Sequence, residues 1–531
     1  MVQAIGQTSG KTLSVQINLG GVPVPDDFEV LSVKTHHGVN LVPEATVVIA
    51  GGDVASGTFS LSEASVCKPA TDIEIQAGYN SKLKTIFKGV VTRQGIKAFA
   101  EGPSMSLTCQ DKAASLKKAG ETTEFHDMKD SDAITALFKR FGLQADVEPT
   151  AACLTRATMN GETAWDYVLR RADFNGMIVT LKEGKATVAP PAFAGPAWSA
   201  TYGDDILELN VDLDGASQLS QVNAQAWAPS QQSSISAKAT EPEVNKQGNL
   251  TGLSLSNALS RGGETLTTHA PLGEHELKTW ADARLIKSRL SRFTGTVRVP
   301  GQPAIWPGDQ LSLAGLGERF DGNGFVSAIA HDIANGNWTT VVTLGLDASA
   351  FPEANPHPSD MAITGGLQIA KVIKTDSDPQ NEGRIKVVFP LNTNNEDGAW
   401  VRLASPYASQ RAGFEFLPEI GDEIVVGFLG GDPDAGVMIG ALHSSARPAS
   451  VVPNESNSTK SIISRSQLKM SFDDDDRVVQ IETAGGHVVT LSDKDMAVTV
   501  SDSNGNTMAM TEGGIALTSL NDVTITAGQQ L

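Results

Sequence analysis

From Lys469 onward, short runs of alternating apolar and polar residues recur along the chain at offsets of eight to ten residues. Alternation with a period of two is typical of strands that bury one face. Gly, Asn and Asp, which favour tight turns, separate the runs. The pattern predicts strands at Lys469–Phe472, Val478–Thr483, His487–Leu491, Ala497–Ser501, Thr507–Thr511, Ile515–Ser519 and Val523–Thr526.

Strands this short give one chain a thin ribbon with two free edges and little core of its own. We therefore expect several copies to share the segment. Three copies wrapped around one axis would cover every inward face, whereas a β-solenoid formed by a single chain is the rival arrangement. The predicted core of this shared needle is Val489, Leu491, Val498, Val500, Met508, Met510, Ile515, Leu517, Val523 and Ile525.

The rest of the chain also favours short strands over a helical bundle. The full chain of 531 residues contains 51 Gly and only 5% aromatic residues, which suits strands joined by turns. At about 150 residues per domain, the length predicts three to four domains. We predict a first β-barrel (1–110), a helical α/β insertion (111–200), a second β-barrel (201–350), a linker (351–361), a five-stranded OB-fold barrel (362–450) and the needle (461–531).

Helices are predicted at three places in the first two thirds of the chain. Ser131 stands at the N-cap position of the first helix, and Thr163 with Asp166 approximates a capping box for the second. The apolar stripe of the second helix predicts core packing and consists of Trp165, Val168, Leu169 and Ala172. The third helix is predicted at about Glu274–Arg292, and the polar stretch Gln231–Asn257 predicts a long surface loop.

The charge balance limits the partners of the chain. It carries 41 Lys+Arg and 61 Asp+Glu, a formal net charge of −20, which argues against nucleic-acid binding. Met1–Gly20 lacks the apolar core of a signal peptide, and no stretch approaches the roughly 18 apolar residues of a membrane span. We therefore expect synthesis in the cytoplasm and export only by a dedicated machine.

The sequence contains no recognisable catalytic or metal-binding motif. Neither GxSxG nor HExxH occurs, and the cysteines form no CxxC pair. The pairs His36–His37 and His331–Asp332 stand alone on predicted strands, so we interpret them as structural. Asp473–Asp476 lacks the spaced ligands of a calcium loop and predicts a solvated turn. The expectation is a protein that is not an enzyme and needs no cofactor or metal.

Several motifs resemble VgrG proteins, the central spikes of type VI secretion. Residues Pro418–Gly440 read PEIGDEIVVGFLGGDPDAGVMIG, which is similar to the family signature P-x-x-GDEVLVGF-x-x-GDPD. Thr483–Leu491 (TAGGHVVTL) and Asp502–Asn506 (DSNGN) resemble the start and a turn of the family's needle. Ala164–Met177 resembles its WDF-x-x-x-RAE-x-NGM helix. The resemblance extends from about residue 10 to residue 527. Hub-and-needle proteins of contractile phage tails and of extracellular contractile injection systems share the same architecture.

This resemblance implies a homotrimeric central spike without catalytic activity. The two N-terminal barrels would form a phage-hub-like ring that seats a hexameric, Hcp-like inner tube and contacts baseplate proteins. The OB barrel would lead into an intertwined trimeric β-prism that pierces the target membrane. A PAAR-repeat protein would sit on the blunt end, which we expect at Thr526, Ala527, Gly528, Gln529, Gln530 and Leu531.

The family also suggests how the particle works and how it is delivered. Some members carry a toxin or lysozyme-like domain, and since no such domain is visible up to Leu531, effector cargo would be a separate chain. The spike would be assembled in the bacterial cytoplasm and carried out of the cell with the contractile particle.

Two other classes of protein compete with the spike. A β-helical enzyme that degrades cell wall or polysaccharide would need acidic or basic side chains converging on one solenoid face, and the sequence places none in that way. A trimeric tail fibre or adhesin would predict a signal peptide or a membrane anchor. The ordered set of motifs favours the spike.

Overall fold

The computed structural model describes residues 3–8, 11–24, 28–52, 67–99, 102–118, 120–151, 153–229, 231–268, 272–348, 366–390, 398–452, 454–526 and 528. The chain forms two compact units, Met1–Ala441 and Leu442–Leu531. Strands hold 48% of the residues and helices 12%, which confirms the predicted mainly β class. The predicted linker, 351–361, lies outside the described residues.

The part of the first unit that precedes residue 349 is called the hub here. Its early strands are β1 (Gln3–Thr8), β2 (Lys11–Leu19), β3 (Val22–Pro23), β4 (Val30–Gly38), β5 (Glu44–Ala50), β6 (Asp72–Tyr79), β7 (Lys84–Phe99), β8 (Gly102–Gln110), β9 (Glu121–Lys129), β10 (Gln144–Val147) and β11 (Cys153–Glu162). Its later strands are β12 (Ile178–Lys182), β13 (Lys185–Ala189), β14 (Trp198–Thr201), β15 (Glu208–Leu213), β16 (Val222–Ala228), β17 (Ser233–Lys238), β18 (Glu264–Thr268), β19 (Phe293–Pro300), β20 (Gln310–Ala314), β21 (Gly322–Ala334) and β22 (Asn337–Leu344). The helices are α1 (Asp130–Arg140), α2 (Ala164–Phe174), α3 (Gly252–Ala258) and α4 (Glu274–Leu290).

One large sheet runs through the hub in the order β1-β2-β6-β7-β8-β5-β4-β21-β22-β19-β15. The antiparallel pair β4–β21 places Thr35 opposite His331 and so joins strands from both predicted N-terminal barrels. The strands of this sheet bury one face in the hub core, for example at Val33 of β4, Val47 of β5 and Phe87 of β7. The hub therefore has a continuous β framework, while the domain boundaries proposed from the sequence stay a prediction.

The helical insertion packs α1 and α2 against short sheets. Thr163 caps α2 as predicted, because its hydroxyl accepts a 3.1 Å hydrogen bond from the Asp166 amide. The predicted apolar stripe of α2 is buried, so its interpretation as core packing is confirmed. Ser131 was wrong as an N-cap: α1 begins at Asp130, and the Ser131 amide donates to the Thr150 hydroxyl. A tertiary contact thus takes the place of the local cap.

The polar stretch Gln231–Asn257 is a loop only between residues 239 and 251, so the prediction of one long loop was wrong near both ends. The stretch contains β17, which pairs with β16 at the edge of a small sheet, and the start of α3. Thr251 caps α3 by accepting a hydrogen bond from the Ser254 amide. An exposed edge strand needs no apolar face, which is why its composition resembles that of a loop. None of the helices in the described part of the chain has the length and apolar character needed to cross a bilayer.

Five strands close into a small barrel after the hub, as the sequence predicted. They are arranged in the order β23 (Leu367–Lys374), β24 (Ile385–Val388), β25 (Ala399–Leu403), β29 (Gly436–Leu442) and β28 (Glu423–Phe428). Two very short strands, β26 (Ala408–Ser409) and β27 (Ala412–Gly413), form a hairpin between β25 and β28. Ala370, Val372, Ile385 and Val426 are among the fully buried side chains that fill the barrel.

The barrel loop that carries the GDPD motif touches the helical insertion. The Thr158 hydroxyl donates a 2.8 Å hydrogen bond to the Asp434 carboxylate. Arg170 of α2 donates to the Thr158 carbonyl and to the Glu162 carboxylate. Burial raises the pKa of the nearby Asp432, an effect that the charges of Arg170 and Arg171 oppose. The motif therefore lies where the barrel meets the insertion, which gives it a structural role.

The two histidine pairs contribute buried imidazoles to the hub sheet. The His37 ring is 3% exposed and donates from Nε2 to the Ile86 carbonyl at 2.9 Å. His331 is also buried and contacts the Thr340 hydroxyl through Nδ1. Burial lowers the pKa of His37 to about 4 and that of His331 to about 3. Both rings are therefore neutral structural groups at neutral pH.

We predict that the hub loses stability as the pH falls from about 6.5 to about 4. The folded pKa of His37 lies below the ordinary value of 6.5, so the unfolded chain binds the proton first and is favoured. The loss from His37 alone is up to about 3 kcal/mol. Thermal unfolding across this range should show a shallower pH dependence for His37→Gln. The exposed neighbour His36→Gln is the control, and equal slopes in both variants would contradict the prediction.

Candidate assembly interface

The second unit contains a seven-stranded antiparallel meander in which each strand pairs with the next. The strands are β30 (Thr459–Ile463), β31 (Lys469–Asp473), β32 (Val478–Glu482), β33 (Val488–Ser492), β34 (Ala497–Ser501), β35 (Thr507–Thr511) and β36 (Gly514–Thr518). The sequence missed β30 and wrongly predicted a strand at Val523–Thr526, which has no partner strand in the single chain. The meander is called the needle ribbon below.

Turn residues explain why the strands are short and evenly spaced. In the turn after β34, the Asp502 carboxylate accepts hydrogen bonds from the backbone amides of Asn504 and Asn506, both at 2.9 Å. Hydrogen bonds from Asn506 lower the pKa of Asp502 to about 2, so the cap is ionised at neutral pH. Gly505 supplies the positive φ of +85° that the turn requires.

The strand register places most of the large apolar residues of the seven strands on one face. Residues directly opposite one another in a sheet share a face, and so do residues two apart along a strand. The pairings generate two parallel ladders, called the apolar ladders here. The first is Ile462–Met470–Ile481–Val489–Val500–Met508–Leu517, and the second is Lys460–Phe472–Val479–Leu491–Val498–Met510–Ile515.

The opposite face of the needle ribbon is polar or small along its centre. Its central ladder is Ser461–Ser471–Gln480–Thr490–Thr499–Ala509–Ala516. Hydroxyl and amide side chains tolerate water, whereas the apolar ladders expose hydrocarbon to it. The two faces therefore differ in the environment that they require.

A single chain leaves the apolar ladders in solvent. Leu491, Val500 and Ile515 are 46%, 43% and 68% exposed, and exposure is greatest in β36, where every residue is exposed. Among the described residues of the second unit, the only buried side chains are Ser458 and Ser492. A continuous exposed apolar face of this kind marks a contact surface.

The structure brings together most of the predicted needle core. Eight of the ten predicted residues lie in the apolar ladders, on β33 to β36. Val523 and Ile525 are exposed and follow the last strand. The sequence missed five ladder residues, which are Ile462, Met470, Phe472, Val479 and Ile481. That these residues form the core of an oligomer remains a proposal.

The predicted tip site falls at the limit of what the structure describes. Thr526 is exposed, and Gly528 is described as well. Ala527, Gln529, Gln530 and Leu531 lie outside the described residues. The tip assignment therefore stays a prediction.

The edges of the needle ribbon carry charged turns instead of apolar side chains. Asp473 caps the turn after β31 by accepting from the amides of Asp475 and Asp476 at 3.0 Å each. Lys494 pairs with Asp476 at 2.7 Å, with both side chains about half exposed. Exposed pairs of this kind contribute less than about 1 kcal/mol each. Asp473–Asp476 therefore forms a solvated turn, as predicted. Because these exposed pairs contribute little, the apolar ladders are the dominant feature of the unit.

Two family matches cover most of the chain and follow this architecture. Residues 9–335 match the Alg8 N-terminal domain, and residues 368–443 match the type VI secretion system/phage-baseplate injector OB domain. The matched regions are the β-sheet hub and the OB barrel, and the strand-rich needle ribbon follows them in the chain. Because the first match covers more than half of its residues, the chain belongs to the Alg8 N-terminal domain family.

Curated VgrG proteins are similar to the chain over shorter segments. The actin cross-linking toxin VgrG1 of Vibrio cholerae is 32% identical over 114 residues, which is 20% of this chain and 10% of that protein. The type VI secretion system spike protein VgrG1a of Pseudomonas aeruginosa is 33% identical over 125 residues, or 22% of this chain and 19% of that protein. The chain thus matches at most about a fifth of the length of these relatives. The resemblance to VgrG proteins predicted from the sequence is confirmed.

Solved structures share the fold at low sequence identity. A chain of the Francisella PdpA–VgrG complex aligns with a TM-score of 0.56 and 8% identity, over 97% of this chain and 81% of that one. An E. coli component of the type VI secretion system, described as similar to bacteriophage T4 tail proteins gp27 and gp5, aligns with a TM-score of 0.50 and 11% identity, over 80% and 99% of the two chains. These likenesses extend the shared fold well beyond the OB barrel.

We predict that a single carboxylate on the apolar ladders abolishes self-association. Val500→Asp would place an unpaired charge in a face that must become dry, at a cost of several kcal/mol per chain. Thr499→Asp puts the same group on the opposite face of the same strand and is the matched control. Light scattering should find V500D monomeric and T499D associated. If both variants associate equally well, the apolar ladders are not the contact surface.

Proposed function

We propose that the chain is the structural central spike of a phage-tail-like contractile injection system and works as a homotrimer. The observation that supports this most strongly is the pair of apolar ladders, which one chain leaves uncovered. Self-association covers them with the same surface on each copy. The number three comes from the resemblance to VgrG spikes, and three copies enclose one narrow axis.

The hub, the OB barrel and the needle ribbon would each have a separate role in such a spike. We infer that the hub seats a hexameric, Hcp-like inner tube and contacts baseplate proteins. The OB barrel would connect the hub to the needle, which the three copies of the needle ribbon would form as an intertwined β-prism. Three chains carry 3 × −20 = −60 formal charges, which would oppose lateral aggregation of free spikes.

A shared needle also explains how the spike could transmit force. Each ribbon in the trimer would lose its covered face if its neighbours separated, so unfolding one chain would require disrupting all three. Such an assembly unfolds slowly, which is the property that a membrane-piercing rod requires. The particle would carry the spike, together with any effector cargo, out of the cell or into a target.

We also propose that the role is structural and not catalytic. Similar proteins are named as spike proteins, and one is named an actin cross-linking toxin, although the match spans 10% of that protein. Within the described residues, no group of three or more His, Cys, Asp or Glu side chains is placed to hold a metal ion. The buried histidines of the hub contact backbone and hydroxyl groups and lie in the packed sheet.

Native mass spectrometry of the purified chain tests the proposal. We expect a species of three times 55.7 kDa that persists on dilution, and electron microscopy should show a hub with a thin needle. A chain that is monomeric at micromolar concentration would overturn the proposal.

The tip proposal has its own test. Removing residues 526–531 should leave the trimer intact and abolish capture of a PAAR-repeat protein, because these residues would form the contact. Substituting Thr518→Ser in β36 is a control that keeps the end in place. If the truncated trimer still binds the PAAR-repeat protein with unchanged affinity, the tip lies elsewhere.

A further inference from the structure

The OB barrel carries a protruding segment that is apolar and exposed. Residues 406–417 are all exposed and contain the β26–β27 hairpin, in which each strand has only two residues. The Phe414 amide donates to the Tyr407 carbonyl, so these two aromatic residues are neighbours across the hairpin. This segment is called the aromatic arm below.

The aromatic arm concentrates aromatic side chains in a chain that has few of them. Tyr407, Phe414, Phe416 and Leu417 are 55%, 53%, 68% and 55% exposed. Between residues 406 and 417, the charged side chains are Arg411 and Glu415, whose charges cancel. A hairpin this short is not stable in water without a surface to pack on. The composition of the arm fits an apolar partner surface.

The outer surface of the same barrel carries exposed apolar side chains of its own. Leu367 and Ile369 project outward from β23, and Ile439 projects outward from β29, with exposures of 64%, 45% and 55%. Leu367 and Ile439 both lie over Gly427 of β28, since a Cβ at this glycine would be 3.4 Å from Leu367 Cδ2 and 2.9 Å from Ile439 Cδ1. These three side chains are called the barrel patch here.

We propose that the aromatic arm of one chain packs on the barrel patch of the next chain and closes a ring of three OB barrels. The arm and the patch are unlike surfaces on one domain, and a contact between unlike surfaces of identical chains generates a ring when the rotation closes. The occupant of the barrel patch is therefore a second copy of this chain. The inference rests on the homotrimer proposed above.

Chain length supports a second copy as the occupant. β29 ends at Leu442 and β30 begins at Thr459, so 16 residues connect the barrel to the needle ribbon. A connection of this length spans at most about 55 Å. Three barrels whose needles share one axis would thus be held close together, at an effective concentration on the order of millimolar. A modest apolar contact is sufficient under those conditions.

Disulfide crosslinking in the full-length chain tests the ring. Phe416→Cys in the arm and Ile439→Cys in the patch are combined in one chain, with Cys153→Ser in every variant; Cys67 and Cys109 are buried. Mild oxidation should convert most of the F416C/I439C protein to covalently linked trimer on a denaturing gel. F416C alone and I439C alone should stay monomeric on that gel. Phe416→Cys with Lys386→Cys on β24 is the matched control and should not crosslink.

The outcomes separate this inference from the proposal on which it rests. If native mass spectrometry finds a trimer but F416C/I439C does not crosslink, the arm does not pack on the patch and only the ring is overturned. If F416C alone forms covalent dimers, the arms contact each other and the ring is again wrong. If the unsubstituted chain is a monomer, the proposed spike itself fails.

Discussion

The exposed apolar face of the needle ribbon is the constraint on which the rest of the architecture depends. Thirteen of its fourteen ladder positions are apolar, and one chain covers none of them fully. Burying such side chains contributes about 1.5–3 kcal/mol each, so association would stabilise each ribbon by on the order of 10 kcal/mol or more. Folding and assembly of the needle would then be one process.

The N-terminal unit is built on the opposite principle, because it buries its own core. Pairing of β4 with β21 makes one continuous sheet of the hub, and the loop with Asp432 and Asp434 contacts the helical insertion through Thr158. These features produce a hub and a barrel whose cores are buried within one chain, followed by a ribbon whose apolar face is not. The proposed spike would use that combination, since hubs with their own cores would hold three chains in place while their ribbons share one core.

The alternation of Val498 with Val500 and of Met508 with Met510 was sufficient to predict strands with one apolar face. The strand β30 and its apolar face were not predicted, because the sequence there does not alternate. Ile462 and Ile463 are adjacent, and the charged Lys460 occupies a ladder position. At β32, Val478 and Val479 are both apolar, so alternation does not identify the inward one. The Ser131 error arose from a tertiary partner, Thr150, which local sequence does not reveal. Five short strands predicted the OB barrel well, because a small closed barrel depends on local alternation.

Oxidation of methionines in the assembled, full-length protein tests the central claim most directly, since the ribbon carries its own internal control. Met508 and Met510 lie on the apolar ladders, whereas Met496 lies in a turn and is 69% exposed. Dilute peroxide followed by peptide mass spectrometry measures the rate at which each thioether is converted to sulfoxide. A shared needle core predicts rapid oxidation of Met496 and protection of Met508 and Met510 by at least tenfold. Equal rates at all three residues would contradict it.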